Sequence, residues 1–414
     1  MGRKVKPVVF SSAVFLWLFL PAVLLFYFLA AKPLRNVLLV AASLLFYAWG
    51  EPNFVVILLV SIALNYVFGI LVDRELSRGG TKAPRIVLAA AVAVNLSLLV
   101  YFKYINFLLD QINPMLNRFG GGMLHLGSVE LPIGISFFTF HAISYLVDLY
   151  RQGGRAIRNP IDLALYISFF PQLVAGPIVR YHQIAEQLKE RRATFEGFSY
   201  GIARFVIGLG KKVLLANQLG FAADKLFAAA PEGGVGMAGA WLGILCYTLQ
   251  IYFDFSGYSD MAVGLARMFG FKFPENFNYP YISRSLREFW QRWHISLSSW
   301  FREYVYFPLG GNRRGQARTY LNLLIVFFLT GFWHGASWNF IVWGMLHGVF
   351  MAAERTGPGK RLLAKAWPPL LHLYTLFVVA VTWVFFRAET LPGALTYLRI
   401  MFGGGTDAGA GAGA

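Results

Sequence analysis

Acidic side chains are scarce in this chain. Asp and Glu number 20 against 37 Lys and Arg, and charged residues of both signs make up only 14% of 414 residues. A soluble domain of this length would need a far more charged surface, so the shortage excludes one. Cysteine is almost missing as well: Cys246 stands alone in an apolar run, which rules out an intrachain disulfide. There is no internal repeat, no glycine-rich phosphate loop of the Walker type and no nucleophile elbow. Neither His294 nor His334 has a ligand-like neighbour three to five residues on, so a metal site is not expected. The opening Met1-Gly2-Arg3-Lys4-Val5-Lys6 leads into an apolar run too long for a cleavable signal, with no small-residue cleavage site behind it. Lys6 stands where N-myristoylation requires Ser or Thr.

What remains is apolar and aromatic: 57% hydrophobic residues and 17% Phe, Trp and Tyr. This composition is that of a polytopic membrane protein. The net charge of +17 suggests nucleic acid at first sight, but the Lys and Arg sit in short loops between apolar runs. That is the pattern of cytoplasmic loops held against anionic membrane lipids, and no nucleic-acid partner is expected. Residues 8–31, 34–49, 54–72 and 86–109 read as the first crossings. Lys32, Arg35, Arg74, Arg78, Lys82 and Arg85 lie in the first and third loops, against Arg3, Lys4 and Lys6 at the amino terminus. The positive-inside rule therefore favours a periplasmic amino terminus.

Further along, residues 110–131 read as an interfacial segment. The helix over 132–151 places His141, Tyr145 and Asp148 on one face, where they could line a water-filled cavity or equally pin one helix to the next. Residues 169–177, with two prolines and a glycine, break any regular helix. Broken backbone at membrane depth persists only where protein or a water cavity covers it. His182 opens a basic amphipathic stretch through Arg192, read as a cytoplasmic surface helix. An apolar helix over 198–215 is interrupted at Lys211-Lys212. Another, 241–253, is expected to end at Asp254-Phe255-Ser256-Gly257-Tyr258-Ser259-Asp260, with 261–269 resuming helically. Asp254 and Asp260, six residues apart, do not share a helical face, so they read as caps or partners of arginines such as Arg267 rather than an acid–base dyad.

The strongest signal is Thr330-Gly331-Phe332-Trp333-His334-Gly335-Ala336-Ser337-Trp338-Asn339, between the apolar runs 320–329 and 340–353. His334 lies 16 residues beyond Arg318, or about 24 Å along a helix at roughly 1.5 Å per residue. That depth falls within a hydrocarbon core about 30 Å thick. An ionisable group there marks a functional site unless it merely bonds a neighbouring carbonyl, because an unpaired polar group in lipid costs several kcal/mol. An imidazole near its ordinary pKa is the natural general base for a hydroxyl, and a sheltered position protects an activated ester from water.

Residues 284–314 differ in kind. Arg287, Arg292 and Arg302 alternate there with Trp290, Trp293 and Trp300 around His294. The charge density forbids a lipid-exposed crossing and fits an in-plane or re-entrant helix that snorkels its arginines. Such a segment is either a membrane anchor or a shelf on which guanidinium groups receive the phosphates of a soluble donor. Residues 370–386 form the last apolar helix, and 403–414 read as a disordered Gly/Ala-rich tail. The whole is expected to be all-α, a single domain over 1–402 with about 9–11 crossings plus re-entrant and interfacial helices. From the residues alone the function lies between a membrane transferase and a transporter or flippase with a structural histidine.

Four runs occur together and in order: residues 254–260; Asn276-Phe277-Asn278-Tyr279-Pro280-Tyr281; Phe289-Trp290-Gln291-Arg292-Trp293-His294-Ile295-Ser296-Leu297-Ser298; and Gly331 to Trp338. With Pro171-Gln172-Leu173-Val174-Ala175-Gly176-Pro177 and Val9-Phe10-Ser11-Ser12, they resemble the membrane-bound O-acyltransferase family. The likeness is nearest to its alginate O-acetyltransferase branch. It implies a bacterial inner-membrane protein whose helices ring a thinned central funnel, with His334 as the residue on which transfer depends and His294 as a second functional histidine. It also implies acetyl-CoA as the donor substrate, with no permanently bound cofactor, and gives Arg287, Arg292, Arg302, Trp290 and Trp293 a purpose in holding it. The acetyl group would pass to a periplasmic O-acetyltransferase partner or to the polysaccharide. Supporting groups would be His141, Tyr145, Asp148, Asp254, Tyr258, Asp260, Trp333, Ser337, Trp338 and Asn339. Related branches keep two alternatives open: an acyl carrier protein thioester as donor, as in D-alanylation, and peptidoglycan or cellulose as acceptor. Members of the branch often continue past the equivalent of Phe402, which puts the carboxyl end and partner docking in question.

Overall fold

The computed structural model describes residues 10–153, 155–230 and 232–404. Arg3, Lys4 and Lys6, on which the orientation argument leans, and all of the expected tail beyond Gly404 lie outside the described residues. The structure is 78% helical, with no strand among the described residues. The chain is a multi-pass membrane protein. Among the described residues, four helical stretches are long and apolar enough to cross a bilayer: Lys32–Gly50, Pro52–Ser77, Lys82–Arg118 and Pro368–Arg387. Phe15–Leu29 is a shorter apolar helix. Elsewhere, much of the apolar sequence is folded into shorter helices joined by π turns, prolines and extended links.

By its own packing the chain divides into two compact units: Met1–Leu209 with Tyr258–Pro274, and Gly210–Gly257 with Glu275–Ala414. In the first, helix Val55–Ser77 is pinned to helix Lys82–Arg118 by a reciprocal amide pair. Asn65 Nδ2 donates to Asn95 Oδ1 at 3.0 Å, and Asn95 Nδ2 donates back to Asn65 Oδ1 at 2.8 Å. Amide pairs of this kind are how helices hold one another where the hydrophobic effect gives no preference.

Helix Lys82–Arg118 corrects the sequence reading of 110–131. It has 37 residues, about 56 Å at roughly 1.5 Å each, and so far exceeds a hydrocarbon core of about 30 Å. It runs through Pro114 instead of stopping before Asp110. The extended segment behind it is held by asparagines that replace a partner strand. Asn113 donates to Leu124 O (3.1 Å) and accepts from Leu124 N (2.9 Å), and Asn106 does the same for Val129. The break expected near 169–177 is present: Pro160–Ser168 and Phe170–Leu173 are separate short helices followed by irregular backbone.

A second correction concerns residues 254–260, which do not end a helix. Met237–Met268 is continuous through them. The two carboxylates are tolerated there because each has a cation: Lys212 Nζ lies 2.7 Å from Asp254, and Arg204 lies 2.8 Å from Asp260. Arg204, not Arg267, is thus the arginine partner. Lys211-Lys212 does not interrupt its helix either; it opens a π turn, Lys211–Ala216, between Phe195–Gly210 and Asn217–Ala229.

In the second unit the segment 284–314 forms two short helices, Leu286–Arg292 and Ile295–Phe301, then a π turn, Arg302–Tyr306. This broken path is what its charge density required. Helices Gln316–His334 and Trp338–Arg355 form a hairpin, followed by Gly357–Lys365, Pro368–Arg387 and Leu391–Met401. The hairpin closes tightly because its crossing point is glycine on both sides. A Cβ at Gly331 would come within 2.2 Å of Phe340 O, and one at Gly344 within 2.3 Å of Phe327 O.

Candidate active site

His334 is the last residue of its helix, and the chain turns extended at Gly335. Ser337 restarts the helix: its hydroxyl accepts from Asn339 N at 3.3 Å as the N-cap of Trp338–Arg355. The sequence places a histidine at the tip of the hairpin, and tertiary packing then walls it. Its ring is 5.1 Å from Trp343 in edge-on geometry, 5.0 Å from Phe386 and 4.9 Å from Trp333. The imidazole is half-buried. Aromatic walls on three sides restrict the plane of the ring.

His294 shares a wall with it. Trp333 lies 6.1 Å from the His294 ring, and Phe255 closes from another side at 4.6 Å. His294 is 1% exposed, and neither ring nitrogen has a hydrogen-bond partner among the described residues. Its backbone is left-handed, φ 43° and ψ 54°, as N-cap of Ile295–Phe301. A non-glycine residue in that region costs of order 1–3 kcal/mol and persists where its surroundings over-determine it. The determinants are visible. Ile295 N donates to Asn276 O (2.9 Å), Asn278 N donates to Arg292 O (2.9 Å), and Asn276 Oδ1 accepts from both N and Oγ of Ser296.

Beside these histidines is a cavity of about 310 Å³, lined by Arg287, Trp290, Arg302, Phe327, Thr330 and Arg355 among others. Thr330 precedes His334 by one helical turn. A second cavity of about 350 Å³ shares Arg287 and Arg355 and adds Lys360, Gln316 and Thr319. Glu354, at the end of the hairpin, is committed elsewhere: its carboxylate accepts from Leu286 N (2.6 Å) and Arg287 N (3.1 Å). It holds the amino end of Leu286–Arg292, as a carboxylate at a helix N-terminus does. The space between is therefore ringed by cations whose nearest acid is already bonded to backbone.

The residues singled out from sequence fall into three groups. Arg287, Trp290 and Arg302 line the first cavity; His334 and His294 flank Trp333 next to it without lining it, and Ser337 caps the helix that follows His334. Arg292 and Trp293 do not line the cavity: Arg292 pairs with Glu288 (2.9 Å) and donates to Asn278 O, while Trp293 is packed in the core against Phe289 and Trp383. Asn339 is buried, its Nδ2 donating to Ala388 O at 2.7 Å and its Oδ1 without a partner among the described residues; Trp338 is 50% exposed. Asp254, though in the same unit, is spent on Lys212 and Gln250.

The remaining residues belong to the first unit. His141 is buried with its ring 5.6 Å from Tyr166, and the Tyr145 hydroxyl accepts from Ile157 N. Asp148 is 2.9 Å from His182 Nδ1, Tyr258 stacks on Phe10, and Asp260 holds Arg204. Tyr145 and Asp148 are thus bonded to neighbouring backbone and side chain, whereas neither ring nitrogen of His141 has a hydrogen-bond partner among the described residues. Sequence reasoning missed His347, Thr382 and Arg355. His347 met the same criterion as His334, an ionisable side chain inside an apolar run, and was read as part of that run.

The sequence profile of the MBOAT, membrane-bound O-acyltransferase, family matches residues 127–386. The chain is 45% identical over 399 residues to a probable alginate O-acetylase of Pseudomonas aeruginosa, covering 96% of this chain and 75% of that protein. It is 37% identical over 434 residues to a peptidoglycan O-acetyltransferase of Helicobacter pylori, covering 97% and 81%. A teichoic acid D-alanyltransferase of Bacillus subtilis is 31% identical over 264 residues, 61% of this chain and 66% of that protein.

Proposed function

We propose an acetyl-transfer reading for this chain, which belongs to the membrane-bound O-acyltransferase family and is an O-acyltransferase. In this reading it is an inner-membrane O-acetyltransferase that takes acetyl from cytosolic acetyl-CoA toward an exported, alginate-like polysaccharide. The single observation that carries the reading is the cavity bounded by Arg287, Arg302 and Arg355 that reaches Thr330, one turn from His334. Guanidinium groups suit the phosphates of a CoA-type donor, and a narrow wall of Trp290, Phe327 and Thr330 suits its uncharged thiol arm. His334 acts as general base. It takes the proton of the acceptor hydroxyl as that oxygen attacks the acetyl carbon; the carbon–sulfur bond breaks and the CoA thiolate leaves. His294, buried beside Trp333, serves the same pocket. The 45% identity with a probable alginate O-acetylase supports the acceptor class.

The alginate-like acceptor is reached through a periplasmic O-acetyltransferase partner or directly. In this reading the amino terminus faces the periplasm, because Lys32, Arg35, Arg74, Arg78, Lys82 and Arg85 favour the opposite side for the loops that carry them. The likeness to a D-alanyltransferase favours a second donor reading, a carrier-protein thioester. Purified protein in nanodiscs with labelled acetyl-CoA separates the two. Transfer or thioester cleavage that vanishes in His334→Ala supports acetyl-CoA. Silence with acetyl-CoA and turnover with an acyl carrier protein supports the other donor, and flux that persists in the variant returns the chain to a transporter.

A further inference from the structure

His347 is fully buried at the meeting point of three helices and takes no part in the chemistry above. Trp290 Nε1, which can only donate, lies 3.2 Å from His347 Nδ1. Nδ1 must therefore be the acceptor and carry no proton, which leaves the proton on Nε2. That nitrogen is 3.0 Å from Thr382 Oγ1, and the Thr382 hydroxyl donates onward to Val379 O at 2.9 Å. Every donor in this chain has an acceptor: indole to imidazole, imidazole to hydroxyl, hydroxyl to carbonyl. The four groups come from Leu286–Arg292, Trp338–Arg355 and Pro368–Arg387.

Both ends of the relay touch the site. Trp290 lines the donor cavity. The His347 ring lies 5.0 Å from Trp343, whose other edge is 5.1 Å from His334, and Phe386, one turn after Thr382, is 5.0 Å from His334. We infer that His347 is a positioning residue: a neutral imidazole fixed as its Nε2–H tautomer, which aligns Trp290 along the donor cavity and Trp343 against His334. It exchanges no proton during turnover. Orphaning one link leaves a buried polar group desolvated without a partner, and so moves both walls. The inference rests on the reading of that cavity and of His334 given above.

The test uses the full chain in nanodiscs. Nitrogen-15 NMR of histidine-labelled protein, with the His347 signals assigned by their loss in His347→Phe or their shift in Thr382→Val, should show a neutral ring protonated at Nε2. A charged ring, or the Nδ1–H tautomer, overturns the inference. Kinetically, Thr382→Val should lower kcat and raise the donor KM, with kcat/KM falling about tenfold per folded molecule. Thr382→Ser, which keeps the hydroxyl, should restore both to within about twofold. Valine and serine variants with equal kcat and KM reduce His347 to packing, whatever they do to thermal stability. If the parent protein shows no turnover with acetyl-CoA, the donor reading has failed, and the tautomer alone decides the positioning claim.

Discussion

In the unit built from Met1–Leu209 and Tyr258–Pro274, Asp73 is held by Arg158, Asp148 by His182 and Asp260 by Arg204. In the other, His294 is 1% exposed with no partner on either nitrogen among the described residues, in a left-handed backbone that costs stability. Both units bury polar side chains, but they use them differently. These three carboxylates of the first unit each have a side-chain partner where they stand, and what they contribute is the placement of helices. Each unit also buries one imidazole with no hydrogen-bond partner on either nitrogen among the described residues, His141 in the first and His294 in the second, but His294 alone combines this with a left-handed backbone and with an aromatic wall, Trp333, that it shares with His334. A buried polar group with no partner is expensive, so its persistence points to a task performed on something that enters from outside. By that contrast we expect Asp148 and Asp260 to place helices, and His294, whose unpartnered ring sits in a strained backbone beside the wall of His334, to act on what enters the site.

Removing the base is the severest way to break the comparison. His334→Ala should reduce acetyl transfer by about 10²–10⁴-fold, the range general-base catalysis contributes. Thermal stability should change little, since the ring is only half-buried. Radiolabel transfer in nanodiscs, read beside a melting curve, checks both; near-normal transfer ends the assignment. His294→Asn comes next. Asparagine tolerates the left-handed region, so the fold should hold. Transfer should nonetheless fall by about 10–100-fold, because the site loses its second imidazole. His294→Val offers the complementary reading: a β-branched residue at φ 43° should cost folded yield before activity is ever assayed.

Much of this was legible beforehand, for physical reasons that name the exceptions. His334 declared itself because an ionisable residue deep in an apolar run, flanked by glycines, has few structural explanations. Over 284–314 the charge density argued only against a lipid-exposed crossing; the division into two short helices and a π turn was not legible from it. His294 was marked only by family likeness, since nothing local forecasts a histidine at positive φ; that conformation is imposed by Asn276 and Asn278. The continuity of Met237–Met268 was illegible because the cations that license Asp254 and Asp260 come from Lys212 and Arg204, far along the chain. Glu354 shows the same limit. It is a cap for a helix that begins 68 residues earlier. Cross-chain pairings of this kind decide which polar residue is glue and which is site, and a single sequence does not display them.

Arginines on the same short helix give a finer comparison. Arg287 lines both cavities, whereas Arg292 is committed to Glu288 and to Asn278 O. Arg287→Ala should raise the KM for acetyl-CoA about tenfold with kcat little changed, the mark of lost ground-state binding. Arg292→Ala should leave that KM within about twofold. Equal effects would mean that the segment acts by net charge at the membrane surface and not by contact with the donor.

The smallest expected effect on catalysis is in the first unit. Asp260→Asn keeps the shape of the side chain but removes the charge facing Arg204, whose side chain is 24% exposed against 9% for Asp260. Leaving a largely buried guanidinium without its counter-ion should cost about 1–3 kcal/mol of stability. Acetyl transfer per folded molecule should stay near that of the parent. Thermal unfolding in nanodiscs together with kcat on the folded fraction separates the two quantities. A lowered kcat at unchanged stability would place Asp260 in the chemistry, and the division between paired glue and unpaired site would then have been drawn in the wrong place.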